Sequence, residues 1–305
     1  MMRTDQLCGV IPAFYACYDD EGEISSPRTE ALANYLYEKN VQGLYVGGSS
    51  GECIYQNLEE RKAVLTYVAN IMRDKLALIA HVGAPSTRDS IALAKHAESL
   101  GYDAISAIPP IYFKLPDDSV LQYWNDIMEH CTLPFIAYNI PQTTGYTLTP
   151  SVFSKLKANK KVIGVKNSSM PTMDIERFKR VGGPSTLVFN GPDEQFVSGL
   201  MMGANGGIGG TYAAMPELFL KAIELVKQGD MTTATSLQSD INEIIVKLCS
   251  CHGHMYAVIK DVLAIRGVVV GGVRKPLAST TIEDVDTIMG IVNLIDQTIE
   301  KYANC

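Results

Sequence analysis

The chain has 305 residues, 47% of them hydrophobic and 19% charged, with a net charge of −7. That is the composition of a soluble globular protein long enough for one large α/β barrel or two ordinary domains. No cluster of lysines and arginines stands out, which argues against nucleic acid and anionic membrane as partners but leaves an anionic small substrate open.

The first residues, Met1-Met2-Arg3-Thr4-Asp5-Gln6, carry no apolar leader, and no apolar run approaches the ~18 residues of a membrane span. The seven cysteines (Cys8, Cys17, Cys53, Cys131, Cys249, Cys251 and Cys305) are scattered and odd in number. Reduced thiols in a cytoplasmic protein are therefore expected, not a disulfide framework.

In chain order, the first strand-like run is 9–13. The second, 43–46, ends in Gly47-Gly48-Ser49-Ser50-Gly51-Glu52 and leads to a helical pattern over 57–73. The third, 77–81, closes on His81 and precedes a helix at 87–100. Pro109-Pro110-Ile111-Tyr112 follows the fourth, 104–107, with a helix at 119–131. The fifth, 135–138, ends in Tyr138-Asn139-Ile140-Pro141 before a helix at 149–158. The sixth, 162–165, runs into Lys166-Asn167-Ser168-Ser169 and a helix at 173–181. Asn190-Gly191-Pro192-Asp193-Glu194 follows the seventh, 186–189, with a helix at 194–202. The eighth, 206–209, ends at Gly210-Thr211-Tyr212. Eight strand–helix units predict a (β/α)8 TIM barrel over residues 1–216. The rival, an open doubly wound sheet, lacks its phosphate-binding glycine fingerprint here. Residues 217–305 read as a helical C-terminal extension packed on the barrel, with 268–273 the one doubtful strand.

A barrel of this kind places its chemistry at the C-terminal ends of the strands. Lys166 would be buried there by Val162-Ile163-Gly164-Val165, and desolvation would favour its neutral amine, able to attack a ketone and form an imine. The plain alternative is an edge lysine reaching to solvent. Tyr138, on the neighbouring strand, could pass protons to a substrate oxygen, or be an ordinary buried phenol. Ser49 and Ser50, in a glycine-rich turn, offer hydroxyl and N–H groups suited to a carboxylate, or simply make a tight turn. Asp193 and Glu194 could grip a polyhydroxylated substrate or cap the following helix. They follow the seventh strand, which sets them too far along the rim to join the imine step at Lys166. Cys249-Ser250-Cys251-His252-Gly253-His254 has the wrong cysteine spacing for a structural zinc site and no second pair, so no metal is expected.

Three of these segments, Gly47-Gly48-Ser49-Ser50-Gly51-Glu52, Tyr138-Asn139-Ile140-Pro141 and Gly164-Val165-Lys166, resemble signatures of the N-acetylneuraminate lyase and dihydrodipicolinate synthase family of class I pyruvate aldolases. The resemblance runs in register over essentially the whole chain. It implies a TIM barrel with a helical tail, a homotetramer, and a pyruvate-derived Schiff base on Lys166. It also implies proton relay by Tyr138, a carboxylate site at Ser49 and Ser50, and delivery of Tyr112 into a neighbouring subunit's site. The synthases resemble Tyr-Asn-Val-Pro-x-Arg-Thr-Gly, whereas Thr143 stands here at the arginine. The lyases resemble Gly-Val-Lys-x-Thr-Ser and Asn-Gly-x-Asp-Glu, which match Gly164 to Ser169 and Asn190 to Glu194. Their sugar contacts thus carry over to Ser168, Gly191, Asp193 and Glu194. Where the lyases read Gly-x-Gly-Ser-Thr-Tyr, this chain has Gly210 and lacks a hydroxyl. The implied activity is reversible cleavage of N-acetylneuraminate to pyruvate and N-acetylmannosamine without metal or organic cofactor. The alternatives are an aldolase for a shorter 2-keto-3-deoxy sugar acid, dihydrodipicolinate synthase, or a silent keto-acid-binding regulator.

Overall fold

A computed structural model describes residues 7–303, so residues 1–6 and 304–305, Cys305 among them, lie outside the described residues. Eight parallel strands, β1 (Gly9–Pro12), β2 (Gly43–Val46), β3 (Ala77–His81), β4 (Ala104–Ala107), β5 (Phe135–Asn139), β6 (Val162–Asn167), β7 (Leu187–Asn190) and β8 (Gly206–Gly209), follow one another round the sheet. β1 pairs with β8, and a parallel bridge between Ala13 and Tyr45 joins β1 to β2, which closes the barrel.

Among the described residues nine helices accompany the strands: α1 (Ser26–Glu38), α2 (Leu58–Met72), α3 (Thr87–Ser99), α4 (Asp117–Glu129), α5 (Pro141–Thr144), α6 (Pro150–Leu156), α7 (Met173–Gly182), α8 (Phe196–Met201) and α9 (Pro216–Gln228). Their starts are written locally. Asn57 accepts from the Glu60 N–H while the Glu60 carboxylate reaches back to the Asn57 N–H, a reciprocal cap for α2. Ser25, Ser86 and Thr149 cap α1, α3 and α6 in the simpler way. After α9, which packs against β1 and α8, come α10 (Met231–Leu248), α11 (Met255–Ile265) and α12 (Val285–Tyr302). α10 reaches the turn after β7, and α11 the turn after β8, so both overlie the barrel rim. Among the described residues no helix is long and apolar enough to cross a membrane.

The alternation of the strands produces two cores. Ile11, Tyr45, Ile79, Ile136, Tyr138, Phe189 and Ile208 fill the barrel interior. The residues between them, such as Val10, Val46, Ala137, Val165 and Val188, pack outward against the helices.

The strand ends differ from the sequence reading where it matters for the site. β5 and β6 run on to Asn139 and Asn167, which are paired residues. The Asn139 side-chain amide donates to Asn167 Oδ1 at 2.8 Å, while Asn139 Oδ1 accepts from the Leu148 N–H at 3.0 Å. These outward side chains hold the two strands together one step beyond Tyr138 and Lys166. The helix expected over 194–202 is divided into a 3-10 turn at Asp193–Gln195 and α8. The doubtful strand at 268–273 is not one. Gly271 adopts φ +80 there, with its Cα beside the Tyr18 carbonyl, where a side chain would collide.

Candidate active site

Parallel pairing of β5, β6 and β7 sets Tyr138, Lys166 and Phe189 side by side. All three point into the barrel, at the end where the strands open. Lys166 is 4% exposed. Its Nζ lies 4.1 Å from the centre of the Tyr138 ring and 4.4 Å from that of Tyr45. The ring faces offset a little of the lost hydration of an ammonium group. Burial outweighs them and brings the lysine pKa down to about 7, although the nearby Asp193 pulls it upward. At neutral pH a large fraction of this amine is therefore unprotonated and nucleophilic.

Tyr138 is also buried, which pushes its phenol up to about 12, against the opposing influence of the Ser49 and Ser168 hydroxyls beside it. It keeps its proton at neutral pH. Tyr45 and His81 pack edge-on to its ring, with centroids 5.9 and 6.0 Å away. The Tyr45 hydroxyl donates to Ser106 at 3.0 Å, so the floor beneath the lysine is fixed.

The glycine-rich loop after β2 forms one wall. Ser50 lies against the phenols of Tyr15 and Tyr256, and the Tyr15 hydroxyl donates to the Gly210 carbonyl at 2.8 Å. The opposite wall comes from β6 and β7. Gly191 is there because the Ser168 hydroxyl occupies the space of its missing side chain: an added Cβ would sit 2.0 Å from Ser168 Oγ. Asp193 does not cap its own helix. Its Oδ2 accepts from the Thr211 N–H at 2.7 Å and the Thr211 hydroxyl at 2.6 Å, across to the turn after β8. Oδ1 is buried beside Gly209 and has no hydrogen-bond partner among the described residues. Burial raises this carboxyl to about 7. Glu194 is exposed at the mouth.

These groups surround one cavity of about 250 Å³. Ser49, Ser50, Tyr138, Lys166, Ser168, Gly191, Asp193, Glu194 and Gly210 all line it. Tyr112 does not: it is 91% exposed in the loop after β4. Asp193 is likewise not too far from Lys166 to act on it. The two share the cavity, and the charge of each shifts the ionisation of the other. Thr143 lines a neighbouring cavity, not this one.

Three contributors escaped the sequence reading. Tyr45 reaches Lys166 only once the barrel closes. Tyr256 and Met255, at the start of α11, line the cavity from the C-terminal helices. His81 was visible as a strand end, but not its role: Nδ1 is 2.9 Å from the Gly47 carbonyl and Nε2 accepts from the Ile108 N–H. The Cys249 to His254 segment is otherwise engaged. His252 pairs with Asp284, and His254 caps α11. Among the described residues no three His, Cys, Asp or Glu side chains gather as metal ligands.

A family model for the dihydrodipicolinate synthetase family matches residues 6–295. The chain belongs to that family. An N-acetylneuraminate lyase of Mediterraneibacter gnavus is 51% identical over 304 residues, covering 99% of this chain and 96% of the relative. An N-acetylneuraminate lyase of Rhizobium meliloti is 36% identical over 272 residues, 89% of each chain. Among solved structures, a catalytic lysine mutant of the Ruminococcus gnavus sialic acid aldolase superposes with a TM-score of 0.97 at 51% identity, covering 99% of this chain and all of that one. A Clostridium difficile family relative in complex with mannosamine superposes at 0.88 and 29% identity, covering 97% and 99%. The (β/α)8 barrel and the membership read from the three motifs are thus those of the dihydrodipicolinate synthetase family.

Proposed function

We propose that this chain is a Schiff-base pyruvate aldolase that reversibly cleaves N-acetylneuraminate to pyruvate and N-acetylmannosamine. The observation that carries the reading is a buried lysine amine held near neutrality against a protonated phenol, in a cavity walled by hydroxyls on one side and carboxylates on the other. The relatives named above as N-acetylneuraminate lyases and sialic acid aldolase supply the substrate class.

In this reading the Lys166 amine attacks the substrate ketone, and water leaves as the iminium forms. The iminium then draws in the electrons of the breaking carbon–carbon bond and becomes an enamine, while the hydroxyl on the far carbon gives up its proton and that carbon becomes the aldehyde. The enamine carbon then takes up a proton, and water hydrolyses the imine to release pyruvate and the free Lys166 amine. Tyr138 donates to the departing oxygen and takes protons back from the hydroxyl. Burial keeps the phenol protonated until it donates, and the phenolate left by that donation is the base that takes the hydroxyl proton. Ser49 and Ser50 hold the keto-acid carboxylate. Ser168, Asp193, Glu194 and the backbone at Gly191 meet the sugar tail. No step needs a metal or organic cofactor.

Tyr112 belongs to this scheme through a homotetramer, in which it closes the pocket of a neighbouring subunit. Its exposure, its left-handed φ of 83 and its edge-on packing on the exposed Phe113 support that placement. Sedimentation should give a species of four chains, and a fully active monomer would contradict it. We assign the protein to the cytoplasm on the free thiols of Cys17, Cys53, Cys131, Cys249 and Cys251. Residues 217–305 act with the barrel as one unit, because α11 supplies Met255 and Tyr256 to the same cavity.

A shorter 2-keto-3-deoxy sugar acid is the second reading, favoured by the open space at Gly210, where an added Cβ meets only Ser50 Oγ at 3.3 Å. Asp193→Ala separates the two. A hydrogen bond to a charged acceptor is worth roughly 1.5–3 kcal/mol, so cleavage of N-acetylneuraminate should fall about ten- to a hundredfold more than that of a six-carbon keto acid. Gly210→Ser should act in the opposite sense. An equal loss on both substrates would assign Asp193 to holding Thr211 and leave the shorter substrate as the better reading.

A further inference from the structure

Glu52 and Lys260 form an ion pair whose side chains are 0% and 1% exposed. They are 208 residues apart in sequence, and neither enters the Lys166 cavity. Removal of both charges in favour of apolar groups of similar size is commonly neutral for folding, so stability alone does not account for such a pair. Its position offers another account. Glu52 is the last residue of the glycine-rich loop, immediately after Ser49, Ser50 and Gly51.

The backbone of Glu52 sits at φ 53, ψ 31, a left-handed conformation disfavoured for any residue with a side chain. Such strain persists only where the surroundings fix it. Here both carboxylate oxygens are held. Oε1 accepts from Lys260 Nζ at 2.7 Å, and Oε2 accepts from the Arg274 N–H at 2.8 Å. Lys260 is held in turn by the Gly272 carbonyl at 2.5 Å and lies 4.7 Å from the centre of the Tyr18 ring. With its side chain so anchored, Glu52 donates its own N–H to the Ser49 carbonyl at 2.9 Å, tightening the turn that presents the two serines. Gln56 adds a bond to the Gly51 carbonyl at 3.0 Å. At the other end of the loop, His81 holds the Gly47 carbonyl at 2.9 Å.

We infer that the Glu52–Lys260 pair is a positioning device for keto-acid binding: it locks the exit of the Ser49–Ser50 loop to α11, so that the C-terminal helices set the geometry of the carboxylate site. This rests on the reading of that loop as the carboxylate site. It accounts for two features at once, the strained Glu52 backbone and a buried charge pair beside, not inside, the cavity. Lys260 lies one helical turn beyond Tyr256, so the same helix that sets a phenol against Ser50 also fixes the exit of the loop.

The test is the pyruvate concentration that half-saturates borohydride trapping, measured on wild type and on the double variant Glu52→Gln/Lys260→Met, which leaves no buried charge unpaired. Loss of loop geometry should raise that concentration about ten- to a hundredfold, while trapping at saturating pyruvate stays within about threefold. Thermal melting of the same samples reports folding. Glu52→Gln alone, which keeps the shape but offers the Arg274 N–H an amide instead of a carboxylate, should move in the same direction by a smaller factor. Unchanged half-saturation in the folded double variant overturns the inference. Should that variant not fold, unchanged half-saturation in Glu52→Gln does so. A wild type that traps no pyruvate at any concentration is a different result, and overturns the reading of the cavity together with the clamp.

Discussion

Lys166→Met should abolish turnover, by roughly 10⁴-fold or more, because no other group in the cavity can form the covalent intermediate. Methionine fits the slot over the Tyr45 and Tyr138 rings, so the loss should come without unfolding. The stability effect has a definite sign. The folded-state pKa of about 7 lies below the ordinary 10.5, so wild type bears a penalty that is complete below pH 7 and fades as pH rises from 7 towards 10.5. The variant should therefore melt at or above the wild-type temperature, with the gap widening as the pH is lowered from 10 to 7. Activity in the wild type should fall as pH drops through about 7, where the amine becomes charged. Asp193 contributes to that limb, since its carboxylate raises the lysine pKa. Asp193→Asn should shift the limb to lower pH, and a limb that stays in place would separate the two groups.

Tyr138→Phe should lower kcat by about 10²–10⁴, the usual range for a positioned acid–base group. The ring that packs on Tyr45, on His81 and below Lys166 is retained, so the fold and the slot for the amine are retained with it. Imine formation and bond cleavage should both slow, which single-turnover measurements resolve. Near-wild-type kcat would reduce Tyr138 to a packing residue.

Both of those residues were legible in the sequence because each stands one step beyond an apolar run, in a rhythm of eight strands that defines a rim. Ser49, Ser50, Asp193 and Glu194 were found by the same rule, Ser168 and Gly191 through the resemblance to the lyases, and all line the cavity. What the rhythm could not give was the meeting of distant segments. Tyr45 faces inward like its neighbours in any barrel, and only closure between β1 and β2 sets it under the lysine. Tyr256 and Lys260 arrive from α11, in a stretch whose apolar pattern reads as plain helix. Glu52 looks like an exposed loop carboxylate until Lys260 covers it. β8 was the weakest strand by composition, Gly-Gly-Ile-Gly. The missing side chains at Gly207 and Gly209 are filled by the Tyr212 ring and the Asp193 carboxylate, so close approach explains what strand propensity does not. The relation of Asp193 to Lys166 was misjudged for a related reason. Distance along the rim is a poor guide when both side chains turn inward across a narrow barrel.

Borohydride reduction of the wild-type protein with pyruvate, followed by peptide mapping by mass, tests the imine at Lys166. A reduced imine cannot hydrolyse, so a single covalent pyruvate adduct is expected on the peptide that carries Lys166 and none in Lys166→Met. An adduct on another lysine, or no adduct at saturating pyruvate, would contradict it.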